Sequence, residues 1–169
     1  MRTEPPNSGP ELPALTAFLD RQRDTILHKT EGLSRAQLAQ TLPPSSLTLA
    51  GLVNHLALVE DTWFRMRFAG LPNDELWAGH DWDADPDYEF RTAVDLEPEE
   101  VRQRYRDACA RSREVVARAE SLDQLSAGHA LAGQHRDLRW ILLHMLEETA
   151  RHAGHADLLR EAIDGSVGE

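Results

Sequence analysis

Four side chains in the last third of the chain have types and spacings that could do chemistry. In HMLEETARHAGHADLLRE, residues 144–161, His144, Glu148, His152 and His155 follow one another at intervals of four, four and three. On an α-helix at about 100° per residue they fall within roughly 80° of one another. One stripe therefore carries three imidazoles and a carboxylate. It does not lie opposite the apolar side formed by Leu138, Ile141, Met145, Thr149, Ala156, Leu159 and Ile163, where a solvated charged face would sit. It runs along that side's edge, interleaved with Ile141 and Leu159.

A second imidazole-bearing segment lies about ninety residues upstream. His55 falls in the middle of an apolar helical face made by Leu52, Leu56, Val59 and Met66. A buried neutral histidine needs partners for both ring nitrogens. In a helical bundle, side chains from facing helices converge on one point, and a divalent ion is a natural reason for such convergence. Two imidazoles and one carboxylate suit zinc or a similar ion with an open fourth position. Four histidines, His55, His144, His152 and His155, compete for that role beside Glu148. His144 fits either a ligand or a pocket residue next to the site, and His155 either the mouth of the site or a hydrogen bond to an acid. His28, His80, His129 and His135 are expected at the solvent surface. Glu60 lies on another face of its helix and is expected to pair with an arginine.

The elements that must position these groups are helices, because no alternating strand pattern occurs. A first helix is expected from about Leu12 to Thr30, stopped by Gly32. Ser34 then caps a short helix over Arg35–Gln40, and Pro43-Pro44 breaks the chain. Thr48 caps a second helix reaching about Ala69, with Leu52, Leu56, Val59, Trp63 and Met66 inward and Gly70 and Pro72 ending it. A long acidic and aromatic connection follows, from about Leu71 to Leu96. Pro98 opens a third helix ending near Ala119. Beyond a linker with Gly128 and Gly133, Asp137 caps the fourth, which stops at Gly165. The expected architecture is all-α: a four-helix bundle with a long crossover between the second and third helices. Residues 1–11 read as a disordered lead-in and residues 12–169 as a single domain.

Composition narrows the function classes. The 169 residues suffice for one domain with a core. A net charge of −11 argues against nucleic acid as the main partner. No apolar run approaches the roughly 20 residues that span a bilayer, and MRTEPPNSGPELP has no apolar signal-peptide core, so a cytoplasmic protein is expected. Cys109 is the only cysteine, so neither a disulfide framework nor a thiolate metal site is expected.

The segments LTLAGLVNHLALVEDTWF (47–64) and LRWILLHMLEETARHAGHADLLREAIDG (138–165) resemble the DinB/YfiT-like metal-binding four-helix bundles, and within them an actinobacterial, mycothiol-dependent branch. The likeness extends from about Leu12 to Gly165. The broad superfamily's usual triad is one histidine from the second helix and two from an HxxxH on the last. Here the residue four before His152 is Glu148, a substitution shared with the mycothiol-dependent maleylpyruvate isomerase branch. The resemblance implies metal ligands at His55, Glu148 and His152. It further implies a divalent ion, zinc first, with nickel, manganese or iron as alternatives, and a low-molecular-weight thiol such as mycothiol as cosubstrate. A bound ion lowers the pKa of a coordinated thiol, and the thiolate attacks an electrophile.

The expected function is thus a metal-dependent thiol S-transferase acting on small electrophiles. An isomerase is expected less, because that relative carries a further C-terminal domain and this sequence stops soon after the fourth helix. The alternative is a non-catalytic metal-binding stress protein of the same fold. Trp77, Trp82, Tyr88 and Phe90 in the long connection either cover an apolar substrate or seal the bundle end. Arg91, Arg136 and Arg139 are candidates to meet a cofactor carboxylate. A homodimer is compatible with every reading, whereas nucleic acid and membrane are not expected partners.

Overall fold

A computed structural model describes residues 3–128 and 133–167. Six α-helices occur among them: α1 (Glu11–His28), α2 (Arg35–Leu38), α3 (Leu49–Glu60), α4 (Tyr88–Ala93), α5 (Pro98–Ala117) and α6 (Leu138–Asp164). The four long ones form the bundle. α6 packs along α1 and also touches α3, while α3 packs on α5 and α4.

Local chemistry sets the boundaries. The Ser34 and Gln37 side chains form a reciprocal capping box at α2. The Thr48 and Asp137 side chains accept from the Gly51 and Trp140 amides and so cap the two helices that carry the candidate site. Gly165 ends α6 at φ +77°, a left-handed position that favours glycine.

The second long helix departs from its expected register. After Glu60 it continues as a π-helix, Asp61–Phe68. Bonds from residue i+5 back to i, such as Ala69 N–H to Phe64 C=O (3.0 Å), widen each turn. Later residues are carried around the axis relative to a 3.6-residue pattern. Phe64 and Phe68 consequently enter the core, whereas Met66, expected inward, is exposed.

The junction of α3 and the π-helix is the bundle's polar anchor. Two consecutive acids, Glu60 and Asp61, are fully buried and point to different helices. Glu60 takes Arg23 of α1 through two bonds of 2.8 and 2.7 Å, as its off-face position implied. Asp61 takes Arg111 of α5 through bonds of 2.9 and 2.8 Å and accepts from the Trp77 indole at 3.3 Å. Burying a charge is tolerated only when it is paired and hydrogen-bonded. Cys109, beside the first of these pairs, is buried, and burial pushes its thiol far above the ordinary range.

The connection after Gly70 is not wholly irregular. Its second half folds as α4, which the sequence pattern did not indicate. The Asn54 amide donates to the Glu89 carbonyl at 2.8 Å and ties that short helix to α3.

Breaking one anchor should be costly. Glu60→Ala strips a buried guanidinium of its main acceptor and should lower the unfolding free energy by about 3–5 kcal/mol. Urea denaturation measures this, and a loss below 1 kcal/mol would contradict the anchoring role.

Candidate metal centre

α3 and α6 bring three side chains together. One ligand atom each from His55, Glu148 and His152 lie within 4.8 Å of one another, the one group of this kind among the described residues. His55 Nε2 stands 3.4 Å from Glu148 Oε1, and His152 Nε2 stands 3.2 Å from the same oxygen. Four ligands held at about 2.0–2.1 Å in a tetrahedron sit about 3.3 Å apart. The two separations from Glu148 Oε1 match that edge length and the two imidazole donors lie within 4.8 Å of each other, so the residues present fit a divalent ion. All three are partly open to solvent, leaving room for a further ligand.

Both imidazoles are also held from behind. His55 Nδ1 lies 3.0 Å from Glu89 Oε1, a buried carboxylate on α4. Phe90, the next residue, stacks on the His55 ring at 4.6 Å. His152 Nδ1 lies 3.3 Å from His155 Nδ1. This is the arrangement of metal-ligating histidines, whose outer nitrogen is fixed by a carboxylate or another polar group. It follows that both nitrogens of His55 face carboxylate oxygens. A neutral ring has one N–H and satisfies one of them; the other needs a second proton or a cation.

The electrostatics agree. Burial disfavours the charged form of His55, but hydrogen bonds to Glu148 and Glu89 outweigh it and raise its pKa. Hydrogen bonds from His152 and His55 hold the Glu148 carboxyl well below the usual carboxylate range. His144 is displaced the other way, its pKa lowered by burial.

The four competing histidines thus separate. His55 and His152 enter the cluster with Glu148. His155 abuts His152 from outside it. His144 is drawn off by aromatic rings, 4.3 Å from Trp63 and 5.2 Å from Trp140. Of the four expected at the surface, His28 and His135 are exposed, and His129 lies outside the described residues. His80 is instead half-buried, stacked on Tyr88 at 3.9 Å and bonded to the Asp85 carbonyl, because the connection folds back around it. Trp77 belongs to the core, whereas Trp82 and Tyr88 gather around His80. Arg91 is taken by Asp85, and Arg139 by Glu11 and Asp123.

Glu89 was missed by sequence reasoning. Its only signal was an acid beside an aromatic in a stretch lacking periodicity. A cleft of about 460 Å³ beside Phe90 is lined also by Leu47, Thr48 and Val94, and a smaller one of about 80 Å³ by His155, Leu47 and Leu159. Both adjoin the cluster through residues that touch its imidazoles.

In metal-free protein these shifts set a pH window. Raised in the fold, His55 contributes stability that is complete below about pH 6.5 and is lost as pH rises through its folded pKa. Depressed in the fold, Glu148 contributes stability that is complete above about pH 4.3 and is lost on acidification. Both contributions are whole between those values. An NMR titration of the ring protons should place His55 above and His144 below the free-histidine value, with Glu148→Gln lowering His55. Coincident titration of the two rings would refute the arrangement.

The family model for mycothiol S-transferase matches residues 14–165. No curated protein matches the chain. A crystal structure of a conserved protein from Enterococcus faecalis superposes with a TM-score of 0.67, covering 94% of this chain and 100% of that one. At 14% identity it shares the fold alone. The match over nearly the whole bundle establishes the family: this chain belongs to the mycothiol S-transferases.

Proposed function

We propose that the protein is a divalent-metal-dependent thiol S-transferase that joins a low-molecular-weight thiol, mycothiol by its family, to a small electrophile. The observation that carries the metal half is the spacing of His55 Nε2, Glu148 Oε1 and His152 Nε2, which fits a single ion with an open side. Zinc suits this donor set best. The thiol half rests on family membership.

A bound divalent ion would act as a Lewis acid at which the cosubstrate thiol loses its proton near neutral pH. This chain's residues do the rest. Glu89 and His155 fix the ring orientation and basicity of the two ligand histidines. Glu148 offsets part of the positive charge of the site. Phe90, stacked on His55, shields that ring's face and lines the adjoining cleft together with Leu47, Thr48, Asp87 and Arg91. A C–S bond forms at the electrophilic carbon as its bond to the leaving group breaks; the leaving group departs with the electron pair as an anion, and the thiol proton passes to solvent. Cys109 is not needed, since the reacting sulfur belongs to the cosubstrate and the Cys109 thiol is buried.

Elemental analysis of purified protein should find about one divalent ion per chain, lost in His55→Ala and in His152→Ala. Glu89→Ala should retain the fold but weaken metal affinity about 10–100-fold. Mycothiol-dependent consumption of 1-chloro-2,4-dinitrobenzene should stop on chelation and return on adding zinc. Equal metal content in wild type and both histidine variants would reject the site. Metal binding without thiol-dependent turnover would leave the alternative, a non-catalytic metal-binding protein.

A further inference from the structure

Among the described residues three arginines meet no acid, and two of them share one ring cluster. Every described arginine makes an ion pair with an aspartate or glutamate except Arg65, Arg67 and Arg136. Arg65 donates to the Pro72 carbonyl at 2.8 Å. Arg67 and Arg136 instead rest on tryptophan rings: Arg67 over Trp63 at 4.1 Å, and Arg136 over Trp140 at 4.8 Å. Between them the rings are continuous, since Trp63 and Trp140 lie 5.4 Å apart and His144 contacts both. Arg67 is half-buried, and burial alone lowers its pKa, with no carboxylate to offset the loss of water. In a chain with 29 acids against 18 bases, two cations without a counter-ion on one ring cluster stand out.

The cluster is built and it is placed beside the metal centre. The Ala127 and Gly128 amides bond the Phe68 and Arg67 carbonyls at 2.8 and 2.9 Å, pinning the end of the π-helix that carries Arg67. A Cβ at Gly128 would come within 2.6 Å of the Met66 carbonyl oxygen, so this close approach requires glycine. Trp140 and His144 precede Glu148 by two turns and one turn on the same stripe of α6, about 12 and 6 Å along the axis. Trp140 is 40% exposed, which leaves the cluster open to solvent.

We propose that Arg67 and Arg136, on the Trp63–His144–Trp140 platform, form the subsite for the carboxylate of a flat, acidic electrophile whose reactive carbon lies toward His55, Glu148 and His152. The inference rests on the transferase reading for its purpose and on the unpaired arginines for its chemistry. Guanidinium forks match a carboxylate, and the exposed part of the Trp140 indole offers an aromatic edge to a planar body. With 4-(bromomethyl)benzoate as acceptor, the thiol sulfur forms the C–S bond, the C–Br bond breaks, bromide leaves, and the thiol proton passes to solvent.

The test has a binding arm and a turnover arm. The unreactive acid 4-methylbenzoate, titrated into the full-length protein, should shift the Trp63 and Trp140 indole signals in ¹H–¹⁵N spectra and bind at least tenfold more tightly than 4-methylbenzamide. Arg67→Gln and Arg136→Gln should each weaken the acid about tenfold or more, while Arg113→Gln, on an exposed ion pair, should not. In turnover, Arg67→Gln should lower kcat/KM for 4-(bromomethyl)benzoate and spare its methyl ester. Equal binding of acid and amide by the wild type would overturn the proposal without recourse to any variant. So would a wild-type dimer that Trp140→Ala turns into a monomer, since a second copy would then cover the platform. Selective binding of the acid without thiol-dependent turnover would sink the transferase reading and keep the anion subsite. Equal turnover of acid and ester, unchanged in Arg67→Gln, would do the reverse.

Discussion

One carboxylate faced by two imidazoles is the interaction around which the molecule is arranged. Glu148 and His152 lie one turn apart, and α6 alone brings them together. His55 comes from 93 residues away and still reaches within 3.4 Å of the same oxygen. A charge half out of water between two titratable rings is stable only if each ring is held in place, since a shift of 1 Å in one helix would leave a buried polar group without a partner. The rest of the bundle meets that demand. Glu89 and His155 hold the rings, while α1 and α5 hold the helix that carries His55.

That holding is done with charge as well as with apolar packing. Glu60 and Asp61 are adjacent in sequence, yet one is bound to α1 and the other to α5. A buried ion pair adds little net stability compared with a well-packed apolar pair. What it supplies here is geometry: forked guanidinium–carboxylate contacts accept one orientation. The π-helix begins at this junction and turns Phe64 and Phe68 into the core. The anchor lies one to two turns beyond His55, so the departure from α geometry falls after that residue and leaves its register intact.

The stripe on α6 serves more than one purpose along its length. Its C-terminal half, Glu148 and His152 backed by His155, faces α3 and the centre. Its N-terminal half, Trp140 and His144, meets Trp63 of the π-helix and gathers two arginines. Spacing by four residues puts all of these on one line, and the neighbouring helix differentiates them. Opposite α3 the stripe finds an imidazole, and opposite the π-helix it finds an indole and a guanidinium.

Much of this was written in local pattern. Caps at Ser34, Thr48 and Asp137, the stop at Gly165 and the 3.6-residue periodicity mark the four long helices, because those signals act within a turn or two of the chain. The set His55, Glu148 and His152 was legible from polar residues on otherwise apolar faces and from resemblance to a family. Three features were decided by the tertiary structure alone. The π-helix arises where two buried acids must reach two different helices, which no periodicity records. α4 and Glu89 depend on docking against Asn54 and His55, in a stretch whose own propensity is weak. The separation of His144 from the centre, and of Arg67 and Arg136 from the described acids, depends on which rings and charges other helices bring near. Sequence determines what a side chain is and which face it occupies, whereas its partner is determined only when distant segments pack.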